Sequence, residues 1–178
     1  MKTWVVLLRA VNVGGNNKLP MAAFRELLSG LQFSDVATYI QSGNAVFRAP
    51  GEAAAIGDTI AAAIRARFGF DTDVMMLTLA ELRRALAANP FAQAEAEPTT
   101  LHLFFLSKPE PDFDAAAVAA AATRGEQFHL EGRILYFHTP NGMGKSDLAR
   151  TLPRLIKAPM TGRNLRSCHK LAQMAGAL

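Results

Sequence analysis

The run Thr139-Pro140-Asn141-Gly142-Met143-Gly144-Lys145-Ser146 comes nearest of any segment to a known chemistry. Gly-Lys-Ser closes the phosphate-binding loop of nucleotide hydrolases, where backbone amides and the lysine ammonium cradle phosphate oxygens. The small residue that this pattern requires five places before Gly144 is missing, because Thr139 stands there. No later apolar strand ends in an aspartate suited to Mg²⁺, so nucleotide hydrolysis does not fit. Two readings stay open. One is a glycine-rich strand-to-helix turn with Ser146 as helix N-cap. The other adds one phosphate, held by helix N-terminal amides and Lys145.

Arg9 and Asn12 interrupt an apolar run from Trp4 to Val13 that predicts a central strand buried on both faces. Alternation places the two side chains on opposite faces of such a strand. Buried without partners they would cost several kcal/mol, so they are paired or line a cleft. Gln41, Ser42 and Asn44 occupy a turn, where Ser and Asn also serve as local hydrogen bonders. Met160-Thr161-Gly162-Arg163-Asn164 reads as the opening of the last helix, with Thr161 as N-cap. Arg163 then falls in the first turn, where the helix dipole disfavours a cation and a bound anion would relieve the conflict.

Other chemistries find little support. His102, His129, His138 and His169 are scattered, and none makes a metal-ligand spacing with the single cysteine, Cys168. Cys168 and His169 point about 100° apart on a helix, and Cys168 lies on its apolar stripe. Paired carboxylates suited to glycoside hydrolysis and the aromatic platforms of RNA-recognition sheets are missing. The expectation is no metal and no cofactor, and no residue pair identifies a reaction.

Charge is concentrated. Residues 145–178 hold seven basic residues and one acid, a net +6 of the chain's +4, which leaves −2 for residues 1–144. Such asymmetry points to an anionic partner, or to a solvated basic helix face. Half the 178 residues are hydrophobic, which excludes a disordered chain, and one cysteine excludes a disulfide scaffold. Arg9 breaks the opening apolar run too early for a signal peptide, and no run approaches the roughly 20 residues of a membrane span. A cytoplasmic protein without membrane contact is expected.

The elements that must position these residues follow from periodicity. Met21, Phe24, Leu27, Leu28 and Leu31 predict a helix, as do Ile56, Ile60, Ile64 and Phe68, closed by Gly69. Val36–Ile40 and Ala45–Phe47 flank the Gln41–Asn44 turn as a hairpin, and Asp73–Leu79 supplies a strand. Residues 80–88 form a linking helix, and 92–98 read as linker. A strand at Leu101–Leu106, an alanine-rich helix at Phe113–Ala122 and a hairpin of Gln127–Leu130 with Ile134–His138 follow. Two basic amphipathic helices close the chain. The first carries the stripe Leu148, Leu152, Leu155 and Ile156, and Pro153 is expected to kink or split it. The fold class is α+β, with helices packed on the faces of antiparallel sheets. The domains are a first half at 1–79, a linking helix and loop at 80–98, and a second half at 99–178 with the basic helices.

Three segments carry a resemblance: Leu8-Arg9-Ala10-Val11-Asn12-Val13-Gly14-Gly15, Tyr39-Ile40-Gln41-Ser42-Gly43-Asn44-Ala45-Val46-Phe47 and Thr161-Gly162-Arg163-Asn164-Leu165. They resemble the bacterial domain-of-unknown-function family 1697, which also has a turn similar to Gly144-Lys145-Ser146-Asp147-Leu148. The resemblance implies a duplicated fold of two ferredoxin-like βαββ(αβ) halves, and no established activity. Where the family pattern usually has glycine after the first arginine, this chain has Ala10. Around the last motif it has Gly162 and Leu165 in place of a threonine and a tryptophan. Arg9, Asn12, Gln41, Ser42, Asn44, Arg163 and Asn164 match position by position.

The function expected is binding of a phosphorylated small molecule or nucleotide in a cleft between the halves. Arg9 and Arg163 would neutralise phosphate, Asn12, Gln41, Ser42, Asn44 and Asn164 would orient it, and Lys145 would add charge. The alternative is nucleic-acid binding through Arg150, Arg154, Lys157, Arg166 and Lys170, and a third is an interaction module without a ligand.

Overall fold

β1 spans Lys2–Leu8 in the computed structural model, which describes residues 1–109 and 111–178. Trp4, Val6 and Leu8 point to one face and Val5 and Leu7 to the other, and all five are at most 2% exposed. That two-sided burial is why the segment reads as a continuous apolar run. The chain divides into two units: Met1–Arg84 with His169–Leu178, and Ala85–Cys168.

In the first unit β1 is followed by α1 (Met21–Gly30), β2 (Ser34–Tyr39), β3 (Asn44–Ala49), α2 (Ala53–Phe68) and β4 (Val74–Thr78). The sheet order is β2-β3-β1-β4, and every neighbouring pair is antiparallel. Phe24 and Leu28 of α1 and Ile56, Ile60 and Ile64 of α2 share one core with Trp4, Val6, Leu8 and Phe47. Each such side chain contributes about 1.5–3 kcal/mol on burial. The 3.6-residue spacing therefore fixes which helix face meets the sheet.

The second unit repeats the plan. α3 (Leu79–Ala87) leads into it, and a 3₁₀ turn forms at Ala92–Glu95. Then come β5 (Leu101–Leu106), α4 (Ala115–Ala121), β6 (Gln127–Glu131), β7 (Ile134–His138), α5 (Asp147–Leu155) and β8 (Met160–Asn164), and the chain closes on α6 (Leu165–Gly176), whose residues from His169 onward belong to the first unit. The order β6-β7-β5-β8 is again antiparallel throughout, and it matches the first sheet strand for strand. Leu106, Leu135 and Phe137 pack on Val118 of α4 and on Leu148 and Leu152 of α5. Two ferredoxin-like βαββαβ sheets, each with helices packed on it, make this an α+β fold.

Three local expectations are corrected. β1 stops at Leu8, not Val13, because the Arg9 amide turns to the Asp73 carbonyl (3.0 Å) and Ala10 and Asn12 adopt positive φ (53° and 55°). The placing of Arg9 and Asn12 on opposite faces of a strand lapses with it. Met160–Asn164 is not the start of a helix but edge strand β8, paired with β5 from His102↔Asn164 to Leu106↔Met160. Thr161 is accordingly no cap. Asn164 caps α6, its Oδ1 accepting from the Ser167 amide at 2.9 Å, and the helix-dipole argument about Arg163 falls away. Pro153 does not split α5, which runs on to Leu155. Gly162 is needed in β8, since a Cβ there would lie 2.6 Å from the Phe104 ring. Among the described residues no helix is long and apolar enough to cross a membrane.

Candidate anion-binding site

β7 ends at His138, and the chain then makes two tight turns before α5. The Gly142 amide donates to the Thr139 carbonyl (2.9 Å), Lys145 to Gly142 (3.1 Å) and Ser146 to Met143 (3.2 Å). These bonds use backbone amides that a nucleotide-hydrolase loop would turn toward phosphate. Ser146 is the N-cap of α5: its Oγ accepts from the Ala149 amide at 3.1 Å and donates to Glu126 Oε1 at 2.7 Å. The Gly-Lys-Ser turn is thus a capped strand-to-helix connection.

Twenty residues upstream, the turn before β6 folds against it. Asn141 Nδ2 donates to the Arg124 carbonyl at 3.0 Å, and Glu126 Oε2 accepts from the Arg124 amide at 2.7 Å. The two turns border a shallow surface depression, open to solvent, whose walls include Arg124, Glu126, Asn141, Lys145 and Ser146. Glu126 is only 8% exposed. Burial alone would raise its pKa, but the hydrogen bonds from Ser146 and Arg124 outweigh it and hold the carboxyl below its ordinary value. The Arg124 guanidinium reaches Asp147 at 3.5 Å, and Asp147 also pairs with Arg150. The depression therefore presents two cations, one covered carboxylate and the start of a helix, where the dipole favours negative charge.

The other residues singled out in the sequence lie elsewhere. Lys145 lines the depression; Arg163 and Asn164 are on β8. Arg163 is 7% exposed and donates to Thr161 Oγ1 (2.7 Å) and the Gly162 carbonyl (2.8 Å), and burial pushes its pKa down to about 10. In the first unit, Asn12 draws two loops together by donating to the carbonyls of Leu19 (2.9 Å) and Gln41 (2.8 Å). Asn44 donates to the Tyr39 carbonyl at 3.1 Å, Arg9 pairs with Asp73 at 2.9 Å, and Gln41 is exposed. Gly43 sits at φ 71°, and a Cβ there would meet Val11 at 2.5 Å and Leu8 at 2.8 Å. This is a tightly stitched loop pair, with Ile40 held at φ 46°, a strained value for a β-branched residue.

The basic stretch is partly neutralised within the chain. Lys157 pairs with Asp112 at 2.8 Å and Arg150 with Asp147, while Arg154, Arg166 and Lys170 are exposed. Cys168 is buried and its thiol is pushed up to about 12, which suits a core residue and not a nucleophile. Arg124, Glu126 and Asn141 were not singled out from the sequence. Asn141 stands in the same turn as Lys145, whereas no spacing rule links Arg124 and Glu126 to it, because the turn before the β6–β7 hairpin brings them there.

Comparison with known proteins supports the fold. A family model described as a protein of unknown function, DUF1697, matches residues 1–136. No curated protein matches the chain. The structure of the conserved bacterial protein SP0830 from Streptococcus pneumoniae is similar, at 22% identity and a TM-score of 0.71, over 98% of each chain. At that identity the likeness extends to the fold.

Proposed function

The chain belongs to the DUF1697 family of proteins of unknown function, and from that premise we propose that it binds a small phosphorylated or otherwise anionic molecule at the β7–α5 turn. The observation that carries this reading is the pairing of Lys145 with Arg124 around the depression at the N-terminus of α5. An ammonium and a guanidinium beside a helix start make a favourable setting for one phosphate or carboxylate group. Arg124 would exchange its surface contact with Asp147 for the ligand, a trade of at most about 1 kcal/mol. The depression is too small and open to wrap a nucleotide, so only the anionic group would be seated. The Ser146–Glu126 bond and the Asn141–Arg124 bond fix the two turns relative to each other before any ligand arrives.

Calorimetric or NMR titration with a phosphomonoester tests the reading. Binding at about millimolar strength is expected, weakened about fivefold or more by Lys145→Ala and by Arg124→Ala without loss of fold. Affinity unchanged in both variants would refute it.

A further inference from the structure

We propose that β6 (Gln127–Glu131) is a self-association edge, which pairs antiparallel with β6 of a second copy of this chain about a two-fold axis at His129. None of its residues lines the depression described above.

A sheet can recruit another chain at its edges, and folded proteins commonly block them. The strand orders leave four edges: β2 and β4 in the first sheet, β6 and β8 in the second. Met75, Met76 and Leu77 of β4 and Met160, Thr161 and Arg163 of β8 are buried. β2 and β6 are the more exposed pair, and they hold the same place in the two sheets. β2 is blocked: its register against β3 shifts between Ser34 and Ala37, and Asp35 within that shift takes φ 55°. β6 has no such device. It pairs with β7 in unbroken register from Gln127↔His138 to Glu131↔Ile134, and it contains no proline, lysine or arginine. Among the described residues, no backbone hydrogen bond reaches it from outside its sheet.

The two-residue turn Gly132-Arg133 fixes which groups face outward. Such a hairpin makes its closing residues, here Glu131 and Ile134, a hydrogen-bonded pair. By alternation Gln127, His129 and Glu131 bond to β7, while Phe128 and Leu130 turn their N–H and C=O groups to the open side. A second β6 meets these groups in the register centred on His129. Phe128 then exchanges two backbone bonds with Leu130 of the second copy, and Leu130 exchanges two with its Phe128. The segment Gln-Phe-His-Leu-Glu is self-complementary in that register. Phe128 and Leu130 lie opposite each other on the face that packs on the core, and both are only half-buried in the single chain. On the other face Gln127 lies opposite Glu131, an amide against a carboxylate. Glu131 also gains a second His129 on the diagonal, beside its own at 4.0 Å. No carboxylate opposes a carboxylate. Five residues a side are few against the roughly 20–30 of a stable interface, so the pair is weak and forms at high protein concentration.

The register makes the test specific. His129 would face its own copy in a non-hydrogen-bonded pair, where Cα atoms lie about 4.5 Å apart, within the span of a disulfide. His129→Cys is therefore expected to cross-link two chains under oxidised glutathione. The two copies of residue 131 would lie about 14 Å apart, at about 3.4 Å per residue, so Glu131→Cys is expected to cross-link at least about tenfold more slowly. Cys168 is buried and does not compete. Thermal melts confirm the fold of both variants. The wild-type chain gives an independent reading: its Phe128 and Leu130 amides are expected to shift as concentration rises from about 0.05 to about 1 mM. Equal cross-linking at positions 129 and 131, or none at 129, would overturn the proposal. Should His129→Cys not fold, wild-type amides that stay unmoved over that range would overturn it.

Discussion

Asn12 holds Leu19 by both ends of its amide: Oδ1 accepts from the Leu19 backbone N–H at 2.8 Å, and Nδ2 donates to the Leu19 carbonyl at 2.9 Å. The same Nδ2 reaches the Gln41 carbonyl at 2.8 Å, so one side chain closes the loop after β1 and ties it to the β2–β3 turn. Asparagine suits the position twice over, since its short amide also tolerates the φ of 55°. Asn12→Ala is expected to lower stability by about 2–4 kcal/mol in urea denaturation, from three lost bonds and the cost of alanine at positive φ. Asn12→Gly should recover about 1 kcal/mol of that, because glycine removes only the conformational part.

Ala10 lies in the same loop at φ 53° with no side-chain reason to be there. The left-handed conformation costs an alanine about 1–2 kcal/mol, and glycine gives back part of the gain in unfolded-chain entropy. Ala10→Gly is therefore expected to stabilise the protein by about 0.5–1 kcal/mol, read as a rise in the denaturation midpoint. A fall would show that the Cβ makes a contact that outweighs the strain.

Most elements were legible because their burial is periodic. Ile56, Ile60 and Ile64 mark α2, and Leu101, Leu103 and Phe105 mark one buried face of β5. β8 was not, because Met-Thr-Gly-Arg-Asn lacks a strand's apolar pattern and takes that form only by pairing with β5. β1 was read too long for the opposite reason. Val11 and Val13 continue the apolar pattern, but the Asn12 side chain captures the backbone into a turn. Lys145 and Ser146 of the candidate site stand in a glycine-rich turn that announces itself. Arg124 and Glu126 reach them only through tertiary folding, so they left no local signal.

Ser146 links α5 to Glu126, and its loss should be felt as a helix-cap defect. Ser146→Ala is expected to cost about 1–2 kcal/mol by removing the cap and one donor to the carboxylate. Ser146→Asp keeps the cap but sets a second negative charge beside Glu126, so it should be no better than alanine. Equilibrium unfolding of both variants checks this.

His102 gives the fold an acid limit. Its Nδ1 is buried and finds no hydrogen-bond partner among the described residues, and burial pushes its pKa down to about 4 from 6.5. Between those values the unfolded chain takes up a proton that the folded chain refuses. Stability therefore falls as pH drops from about 6.5 to about 4, by up to about 3 kcal/mol, and is flat for this group above 6.5. The lowered pKa of His138, also caused by burial, works in the same direction. His102→Gln should flatten the slope in urea melts collected across that range, and an unchanged slope would assign it to other groups.

The most direct test of the anion site is a backbone amide map of the ¹⁵N-labelled chain titrated with a phosphomonoester. Shifts are expected to concentrate at residues 124–126 and 139–149, the two turns around the depression and the start of α5, and to collapse in Lys145→Ala. Shifts centred instead on the loops at 9–17 and 40–44, or on Arg154 and Arg166, or none at all, would contradict the account.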